Sequence, residues 1–492
     1  MIDTKTLSFG RTLYERLVKR DDDIVIIDSD DRAVTANQLL QRSRAVAHEL
    51  SNRYLKAADR VVISISDNVD ALVCIIACWY LCATPVLIDF RTPPAQRQKI
   101  SQLVSAKFSI EDRHPKGAGD YDHVTWNDIG QGNKLLEADF PDFEALALVP
   151  AFLSLSSGTT GFPKAYVLSH AQVGGRILTR HQLEGSGTGT FYTPMTLSFS
   201  ATRQVVLNYL AYEGKVIFGK PLFSASELVE SILDAAPTGC ALPPPIIRNL
   251  VAEVGDRKNV IFPSLNVLRS IGGPASIEDK LGAYKNLTKG YRMGYSSSLT
   301  GVATVLAGEN LLKRPETTGV PIDGINLEIC DPDTLAPLPV GQSGLIKVQT
   351  PYLSAKIITH NDTQASNEFL DDGWASAGDL GFLDADGFLT LTGRLGYMIV
   401  RGGVNIAPQE VENTLRAHPS VDDVAILGIE DEDVGEEVAA IFVSKTATEK
   451  ELFALCMRQI APESRPRIIK LVEQLPYNLN NKLDRNKLRS LL

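Results

Sequence analysis

The feature that most constrains the fold is an alternation of strand-like and helix-like segments through residues 1–394. The segments typical of strands include 59–66, 84–89 and 215–219, and those typical of helices include 69–82, 96–107, 205–214 and 226–237. Strands that alternate with helices form parallel sheets, and the helices cover the faces of those sheets. The sequence therefore predicts an α/β fold, with a large N-terminal domain of helix-covered sheets.

The last part of the chain has a different pattern. Its helix-like segments are 409–420 and 450–461, and its strand-like segments are 421–431, 436–444 and 465–476. This order predicts a small α+β C-terminal domain over residues 395–492. The junction at 393–403, GRLGYMIVRGG, is rich in glycine, which permits wide changes of backbone conformation. We therefore expect a hinge at the junction and a mobile C-terminal lid domain.

Residues 71–88 must be weighed as a membrane span, because ALVCIIACWYLCATPVLI contains no charged side chain. However, Asp70 and Asp89 bracket this stretch and Pro85 interrupts it. The pattern favours a buried helix over about 69–82, followed by a buried strand. We expect no membrane span.

Three cysteines, Cys74, Cys78 and Cys82, lie four residues apart on one face of this predicted helix. Their spacing is not typical of a zinc or iron–sulfur site, and buried cysteine behaves as a small hydrophobic residue. We therefore expect these cysteines to pack in the core. Because the first residues show no signal-peptide pattern, we also expect a reducing cytoplasm. The net charge of −10 argues against a nucleic-acid partner, since such partners need clustered positive charge.

A short polar segment, SSGTTGFPK at 156–164, follows an apolar run. Its glycines let backbone amides approach an anion, its hydroxyls donate hydrogen bonds and its lysine adds charge, so it predicts a phosphate-binding loop. It is not a Walker A loop, because Pro163 precedes Lys164 and prevents a direct entry into a helix. We expect it to turn back into a strand at 165–169. The candidate phosphate-binding residues are Ser156, Ser157, Gly158, Thr159, Thr160, Gly161 and Lys164.

This segment resembles the phosphate loop of the AMP-forming adenylating enzymes, the superfamily of acyl- and aryl-CoA ligases, firefly luciferase and peptide-synthetase adenylation domains. The resemblance extends in order over most of the chain. The further matching segments are LRSIGGPAS (268–276), MGYSSSLTG (293–301), the strand-rich 317–346, GWASAGDLGFLDADGFLTLTGR (373–394), MIVRGGVNIAPQEVE (398–412) and LPYNLNNKLDR (475–485).

The resemblance implies that a carboxylate attacks the α-phosphorus of ATP and gives an acyl-adenylate and pyrophosphate. It implies that Lys482 is the adenylation lysine, which neutralises charge between the reacting carboxylate and phosphate. It also implies that Thr159 and Ser298 hold phosphate during catalysis. For the nucleotide, it implies Gly272, Gly273, Pro274 and Tyr295 at the adenine, Asp379 at the ribose hydroxyls, and Arg394 at ribose or phosphate.

The sequence departs from the family pattern at several positions. Leu299 stands where the family has the glutamate that binds magnesium, and leucine cannot coordinate a hard cation. Leu345 replaces a second family acid, Asn481 replaces a glycine, and Gly396 occupies the hinge position. Three readings of Leu299 stay open: triphosphate and water alone hold Mg²⁺, another carboxylate substitutes, or adenylation is weak.

The substrate and the acceptor are less constrained. By resemblance, Phe199, Ser200 and Gly294 line the acid pocket, and Arg401, Gly402 and Gly403 face a thiol tunnel. Ser200 occupies the position of an aspartate that pairs with amino-acid substrates, so we expect a neutral acyl or aryl acid.

The predicted function is an acid–thiol ligase that uses ATP, Mg²⁺ and coenzyme A. The first alternative is a stand-alone adenylation enzyme that loads a carrier-protein phosphopantetheine. The second alternative is a nucleotide-binding homologue with impaired catalysis, which Leu299 would explain.

Overall fold

The computed structural model describes residues 8–112, 122–147, 149–156, 164–185, 187–360, 368–402, 404–431, 433–478 and 483–492. The α-helices are α1 Phe9–Arg20, α2 Ala36–Asn52, α3 Asn68–Tyr80, α4 Pro94–Leu103, α5 Trp126–Ile129, α6 Phe143–Ala147, α7 His170–Glu184, α8 Ser200–Ala211, α9 Ala225–Ala235, α10 Pro244–Val254, α11 Ile277–Gly282, α12 Gly308–Lys313, α13 Pro408–Arg416, α14 Glu449–Gln459 and α15 Arg485–Arg489.

The strands of the N-terminal part are β1 Ile24–Ile27, β2 Ala33–Thr35, β3 Arg60–Ser64, β4 Thr84–Leu87, β5 Phe108–Glu111, β6 His123–Thr125, β7 Pro150–Ser156, β8 Lys164–Ser169, β9 Thr190–Thr193, β10 Lys215–Phe218, β11 Gly239–Leu242, β12 Val267–Ser270, β13 Tyr291–Met293, β14 Ser296–Ser297, β15 Gly301–Val302, β16 Thr304–Ala307, β17 Val320–Pro321, β18 Asn326–Cys330, β19 Gly344–Gln349, β20 Lys356–Ile358, β21 Trp374–Ala375, β22 Asp379–Leu383 and β23 Leu389–Arg394. The strands that follow are β24 Ile399–Arg401, β25 Val404–Ile406, β26 Asp423–Asp431, β27 Gly435–Val443 and β28 Ile468–Val472.

The largest sheet in the described part of the chain has the order β17-β16-β13-β12-β11-β9-β10-β1-β2. Its central pairs, from β13 to β1, are parallel, and antiparallel strands occupy both ends. A second parallel sheet has the order β4-β3-β5-β6. The predicted parallel, helix-connected organisation is therefore confirmed for this region.

Antiparallel sheets complete the N-terminal part. Strands β7 and β8 form a hairpin that β20 extends, and β18-β19-β22-β23 form another sheet. These sheets carry the phosphate loop and the Asp379 segment, respectively. Two segments with candidate roles thus lie on hairpins, where hydrogen-bonded register fixes which side chains face each other.

The C-terminal part is the predicted α+β unit. Strands β26 and β27 pair antiparallel over their whole length, β28 adds in parallel, and α13 and α14 pack beside them. A separate hydrophobic cluster, which includes Leu415, Ile426 and Phe442, forms its core. A second core within one chain is typical of a second domain.

The uncharged stretch forms a buried helix, α3, and a buried strand, β4, as predicted. Trp79, Cys74 and Cys78 are fully buried in the largest core, whereas Cys82 is partly exposed just after the helix. Within the described residues, no helix has both the length and the apolar character that a membrane crossing requires.

Several candidate site segments follow the parallel strands of the largest sheet. Phe199 comes after β9, Gly272 after β12 and Gly294 after β13. Since β9, β11, β12 and β13 run parallel, their carboxyl ends meet at one edge. Ligands of open α/β sheets bind at this edge.

Candidate active site

The phosphate loop connects the two strands of the β7–β8 hairpin. Ser156 and Lys164 are directly paired across the hairpin, and the chain continues from Lys164 into β8. The prediction that the loop turns back into a strand is therefore confirmed. Residues Ser157, Gly158, Thr159, Thr160 and Gly161 lie outside the described part of the chain.

Lys164 is held by a carboxylate that the sequence analysis did not single out. Its Nζ lies 2.6 Å from Oε1 of Glu368, and Tyr166 Oη donates to Oε2 of the same carboxylate at 2.9 Å. Lys164 and Tyr166 are two residues apart on β8, so they share one face of the strand. That spacing could have been read from the sequence, but nothing local indicated Glu368 as their partner.

Tyr295, Asp379 and Arg394 form a second group. Tyr295 Oη donates to Asp379 Oδ2 at 2.8 Å, and Arg394 Nε lies 3.7 Å from Asp379 Oδ1. Asp379 and Arg394 face each other across the β22–β23 pair, and Arg394 also donates to the carbonyl of Ala377 at 3.0 Å. The structure thus brings together three residues that the sequence analysis assigned to one nucleotide.

The two groups lie side by side. Burial raises the pKa of both Tyr166 and Tyr295, a neighbouring carboxylate (Glu368 or Asp379) raises each further, and the positive charge of Arg394 opposes both shifts. One guanidinium therefore acts on both tyrosines. Both phenols are neutral at physiological pH and can donate hydrogen bonds to their carboxylates.

The candidate acid pocket is only partly assembled by the predicted residues. A Cβ added to Gly272, at φ +89°, would lie 2.7 Å from Cζ of Phe199, so this ring packs against the glycine. Gly273 and Pro274 are exposed beside it. Gly294 instead lets the backbone of Thr304 approach closely, since an added Cβ would lie 1.9 Å from its carbonyl oxygen.

Ser200 begins α8 and has two polar neighbours. Its Oγ accepts from Nε2 of Gln204 at 3.3 Å and lies 3.4 Å from Oγ of Ser154. A neutral hydroxyl at this position supplies no charge for an ammonium group.

The two leucines that replace family acids are core residues. Leu299 is fully buried in a cluster with Tyr166, Ile357 and Ala375, and its carbonyl accepts from Ser354 N at 2.8 Å. Leu345 packs with Cys330 and Leu380. Neither side chain can bind a metal. However, Tyr166 in the Leu299 cluster is hydrogen-bonded to Glu368, so a carboxylate lies at the border of this cluster.

Ser298 is partly buried, and its carbonyl accepts from Arg176 Nη1 at 3.2 Å. It therefore lies between the Leu299 cluster and helix α7. Its predicted contact with phosphate stays a prediction.

The predicted thiol-tunnel segment is anchored within the C-terminal part. Arg401 Nε lies 3.1 Å from Glu437 and its Nη1 donates to the carbonyl of Glu463 at 3.0 Å. Gly402 adopts a φ of +57° and donates to the carbonyl of Val434. Gly403 and the proposed adenylation lysine, Lys482, lie outside the described residues. The Arg401 side chain is thus engaged in holding the loop.

Comparison with protein-family models gives two matches. A model described as AMP-binding enzyme matches residues 13–356, and one described as AMP-binding enzyme C-terminal domain matches residues 410–482. Together the two matches cover both parts of the chain.

Curated relatives are CoA ligases. A 4-coumarate–CoA ligase-like protein of Oryza sativa is 30% identical over 361 residues, which are 70% of this chain and 63% of that relative. The match thus spans less than two thirds of that relative's own length. A 2-succinylbenzoate–CoA ligase of Bacillus cereus is 24% identical over 484 residues, or 96% of each chain.

Solved structures show the same fold. The o-succinylbenzoate CoA synthetase of Bacillus subtilis, in complex with its acyl-adenylate intermediate, superposes with a TM-score of 0.84 at 22% identity and covers 97% of both chains. The same enzyme in complex with ATP and a magnesium ion also gives a TM-score of 0.84 at 22% identity, covering 97% and 99%.

These findings confirm the expected family and the expected fold class, a large N-terminal sheet domain with a smaller C-terminal domain. They also confirm the expected enzyme class at the level of the relatives, which are CoA ligases. The boundary between residues 394 and 395 and the roles of individual residues stay predictions. The chain belongs to the AMP-binding enzyme family.

Proposed function

We propose that the protein is an AMP-forming carboxylic acid–thiol ligase that activates an acyl or aryl acid with ATP and transfers it to coenzyme A. The observation that carries this proposal is the Tyr295–Asp379–Arg394 group, which lies beside the β7–β8 hairpin. The relatives support it, because they are named CoA ligases and one was solved with an acyl-adenylate.

In the first step, an oxygen of the acid attacks the α-phosphorus of ATP, the bond to the β-phosphate oxygen breaks, and pyrophosphate leaves. Asp379 accepts hydrogen bonds from the ribose hydroxyls, and Tyr295 fixes the orientation of this carboxylate through their 2.8 Å hydrogen bond. The phosphate loop and Lys164 hold the β- and γ-phosphates. Catalysis of this type depends on positioning and on charge neutralisation.

In the second step, a thiolate attacks the carbonyl carbon of the acyl-adenylate, a thioester forms, and AMP leaves with the bonding electron pair. We expect the C-terminal domain to turn about the 393–403 junction between the two steps, so that Lys482 serves the first step and the Arg401–Gly403 loop the second. Coenzyme A is the proposed acceptor, with a carrier-protein phosphopantetheine as the alternative. A cytoplasmic location stays a prediction.

The carboxylate oxygens of Glu368, beside the β7–β8 hairpin, are suitable ligands for magnesium, although Leu299 cannot contribute a ligand. Mg²⁺ binds through one or two carboxylates together with substrate phosphates and water. We propose that Glu368 supplies the carboxylate on the protein side, and that Lys164 passes from Glu368 to the phosphates when the nucleotide binds. The metal would neutralise the charge of the phosphates.

The experiment that tests the proposal measures AMP formation as a function of added acid and coenzyme A, with hydroxylamine to trap the acyl-adenylate. Asp379→Ala should raise the KM for ATP and reduce acid-dependent AMP formation by about 100-fold, on the scale of lost charged hydrogen bonds. Asp386→Ala, on the exposed turn just after β22, is the matched control and should retain activity. AMP formation at a rate that does not depend on added acid would refute the proposal.

A further inference from the structure

A cavity beside the candidate active site is lined by three buried arginines. Arg176, Arg180 and Arg269 all face it, together with Gln204 and Thr300, and its empty space is about 370 Å³ with its opening included. The three side chains are 5–6% exposed. Arginine is seldom buried to this extent unless a partner compensates its charge.

Arg180 has no such compensation in the described part of the chain. Its Nε and Nη1 atoms have no hydrogen-bond partner there, and burial lowers its pKa to about 10. Unsatisfied guanidinium donors are costly in the interior. The group stays protonated and has only N–H donors, so each of them needs an acceptor.

The other two charged side chains that line the cavity, Arg176 and Arg269, have the same sign as Arg180. Burial and the charge of Arg180 lower the pKa of Arg176 to about 9, and burial, Arg180 and Arg292 lower that of Arg269. Within the described residues, neither Arg176 nor Arg180 forms an ion pair with a carboxylate. The cavity is therefore a concentrated positive site.

This cavity adjoins the predicted acid pocket and phosphate contacts. Arg176 donates to the carbonyls of Ser298 and Leu299, at 3.2 and 2.8 Å. Gln204 donates a hydrogen bond to Ser200. Arg269 lies on β12, and Ile271 and Gly272 follow the end of this strand. A molecule that extends from the reaction centre past Ser200 would reach the arginines with its far end.

We propose that this cavity binds a second acidic group, a carboxylate, on the acid that the enzyme activates. The inference rests on the proposed ligase function and names its substrate class: an acid with one carboxylate to be adenylated and another to be held by Arg180 and its neighbours. Guanidinium groups bind carboxylates through paired hydrogen bonds, which supplies both charge and the acceptors that Arg180 lacks. The neutral acid expected from the sequence is thus replaced by an anionic one.

The test is ATP–pyrophosphate exchange with a panel of aliphatic and aryl dicarboxylic acids, each paired with its monomethyl ester. Wild-type protein should give at least about tenfold higher kcat/KM for one or more dicarboxylates than for the matching ester, because the ester leaves the cavity donors unpaired. Arg180→Gln should remove this preference, mainly by raising KM for the dicarboxylate. Arg180→Lys should restore part of it, since lysine keeps the charge but loses the paired geometry.

A binding measurement provides a readout separate from turnover. The preferred dicarboxylate should raise the Tm of wild-type protein in the presence of ATP, and its monomethyl ester and inorganic phosphate should not. Arg180→Gln should abolish this shift while the shift caused by ATP alone persists, which shows that the variant is folded.

The outcomes separate this inference from the proposed function. Exchange that is equal with esters and dicarboxylates, or a preference unchanged in Arg180→Gln, would overturn the second-carboxylate inference and leave the ligase proposal standing. A Tm shift with phosphate equal to that with dicarboxylate would overturn it too, by identifying a general anion site. Failure of exchange with every acid of either kind would overturn both.

Discussion

At the residue scale, Arg176 and Arg180 stand one helical turn apart on α7 in contrasting surroundings. Arg176 donates to the carbonyls of Ser298, Leu299 and Tyr352, whereas Arg180 has donors without acceptors in the described structure. Without ligand, we expect Arg180→Met to raise the free energy of unfolding by about 1–3 kcal/mol, because an uncompensated buried charge is replaced by an apolar chain. Urea unfolding measures this change.

The matched control for this prediction is Arg176→Met. It leaves the carbonyls of Ser298, Leu299 and Tyr352, which are buried or partly buried, without this donor and should lower the free energy of unfolding by about 1–3 kcal/mol. Equal destabilisation by both variants would mean that the Arg180 donors are already paired. This result would contradict the proposal that they are available to bind an anion.

Glu368 gives a second prediction at this scale. Glu368→Gln should weaken binding of ATP in the presence of Mg²⁺ by about tenfold and leave binding of metal-free ATP unchanged or tighter, since Lys164 is released from its ion pair. Calorimetric titration with ATP, with and without Mg²⁺, measures both affinities.

Tyr166→Phe is the control for Glu368, because it removes one hydrogen bond to the carboxylate and keeps the charge. It should change the magnesium dependence much less. Equal loss of affinity in Glu368→Gln with and without Mg²⁺ would assign the residue a purely structural role.

Part of the candidate site could be predicted from the sequence alone. The resemblance assigned Tyr295, Asp379 and Arg394 to one nucleotide, and the structure places them in contact. Glu368 could not be predicted, because its partners Lys164 and Tyr166 are distant in sequence. Arg180 could not be predicted, because its unpaired donors become apparent only in the described fold. Such properties arise only when the chain is folded.

At the scale of elements, helix α3 contains a buried carboxylate that should make stability depend on pH. Burial, and then the charge of Asp67, raises the pKa of Asp70 to about 6, despite its ion pair with Arg42. The folded state therefore holds this proton more tightly than the unfolded chain, whose pKa is near 3.8. The stability that this group contributes is complete below pH 3.8 and is lost as pH rises to about 6.

We expect Asp70→Asn to abolish this loss and to raise the free energy of unfolding at pH 7 by on the order of 1–2 kcal/mol. Calorimetric Tm values of both proteins between about pH 4 and pH 7, the range over which Asp70 titrates, measure the difference. The variant and wild type should converge at the acidic end. A constant difference across the range would contradict a titrating Asp70.

The β13–β16 pairing depends on a glycine just after β13. A methyl group at Gly294 would collide with the Thr304 carbonyl, so Gly294→Ala should force the two strands apart and cost about 3 kcal/mol or more. Gly273→Ala is the control, because its added Cβ would meet only Pro244 at 4.0 Å, and it should change stability by less than about 0.5 kcal/mol. Thermal unfolding compares them, and similar Tm values would contradict the close approach.

Elements were predictable where local patterns decide them. The helix expected over 69–82 is observed as Asn68–Tyr80, and the strand expected at 436–444 is observed as Gly435–Val443. The pairing order of the largest sheet was beyond reach, because β1 joins β10 and β9 joins β11 through contacts that are distant in sequence. Periodicity indicates an element but not its neighbour.

At the scale of the whole molecule, the order of motifs along the chain predicted the two-part architecture that the structure shows. The N-terminal part provides the edge where parallel strands end and the hairpins that flank it, and the C-terminal part has its own core. An ion pair between Arg248 of α10 and Asp423 of β26, at 3.9 Å, joins the two parts. An ion pair of this length contributes little to stability, so it would oppose the proposed movement of the C-terminal part only weakly.

Acid-dependent exchange of labelled pyrophosphate into ATP, compared between wild type and Lys482→Ala, tests the proposed adenylation activity. We expect exchange that requires Mg²⁺ and an acid and that falls by about 100-fold or more in the variant, because the role proposed for Lys482 is to neutralise charge in the adenylation step. Wild-type protein that binds ATP but exchanges no pyrophosphate with any acid would contradict it. The protein would then have kept the fold and the nucleotide site without the adenylation chemistry.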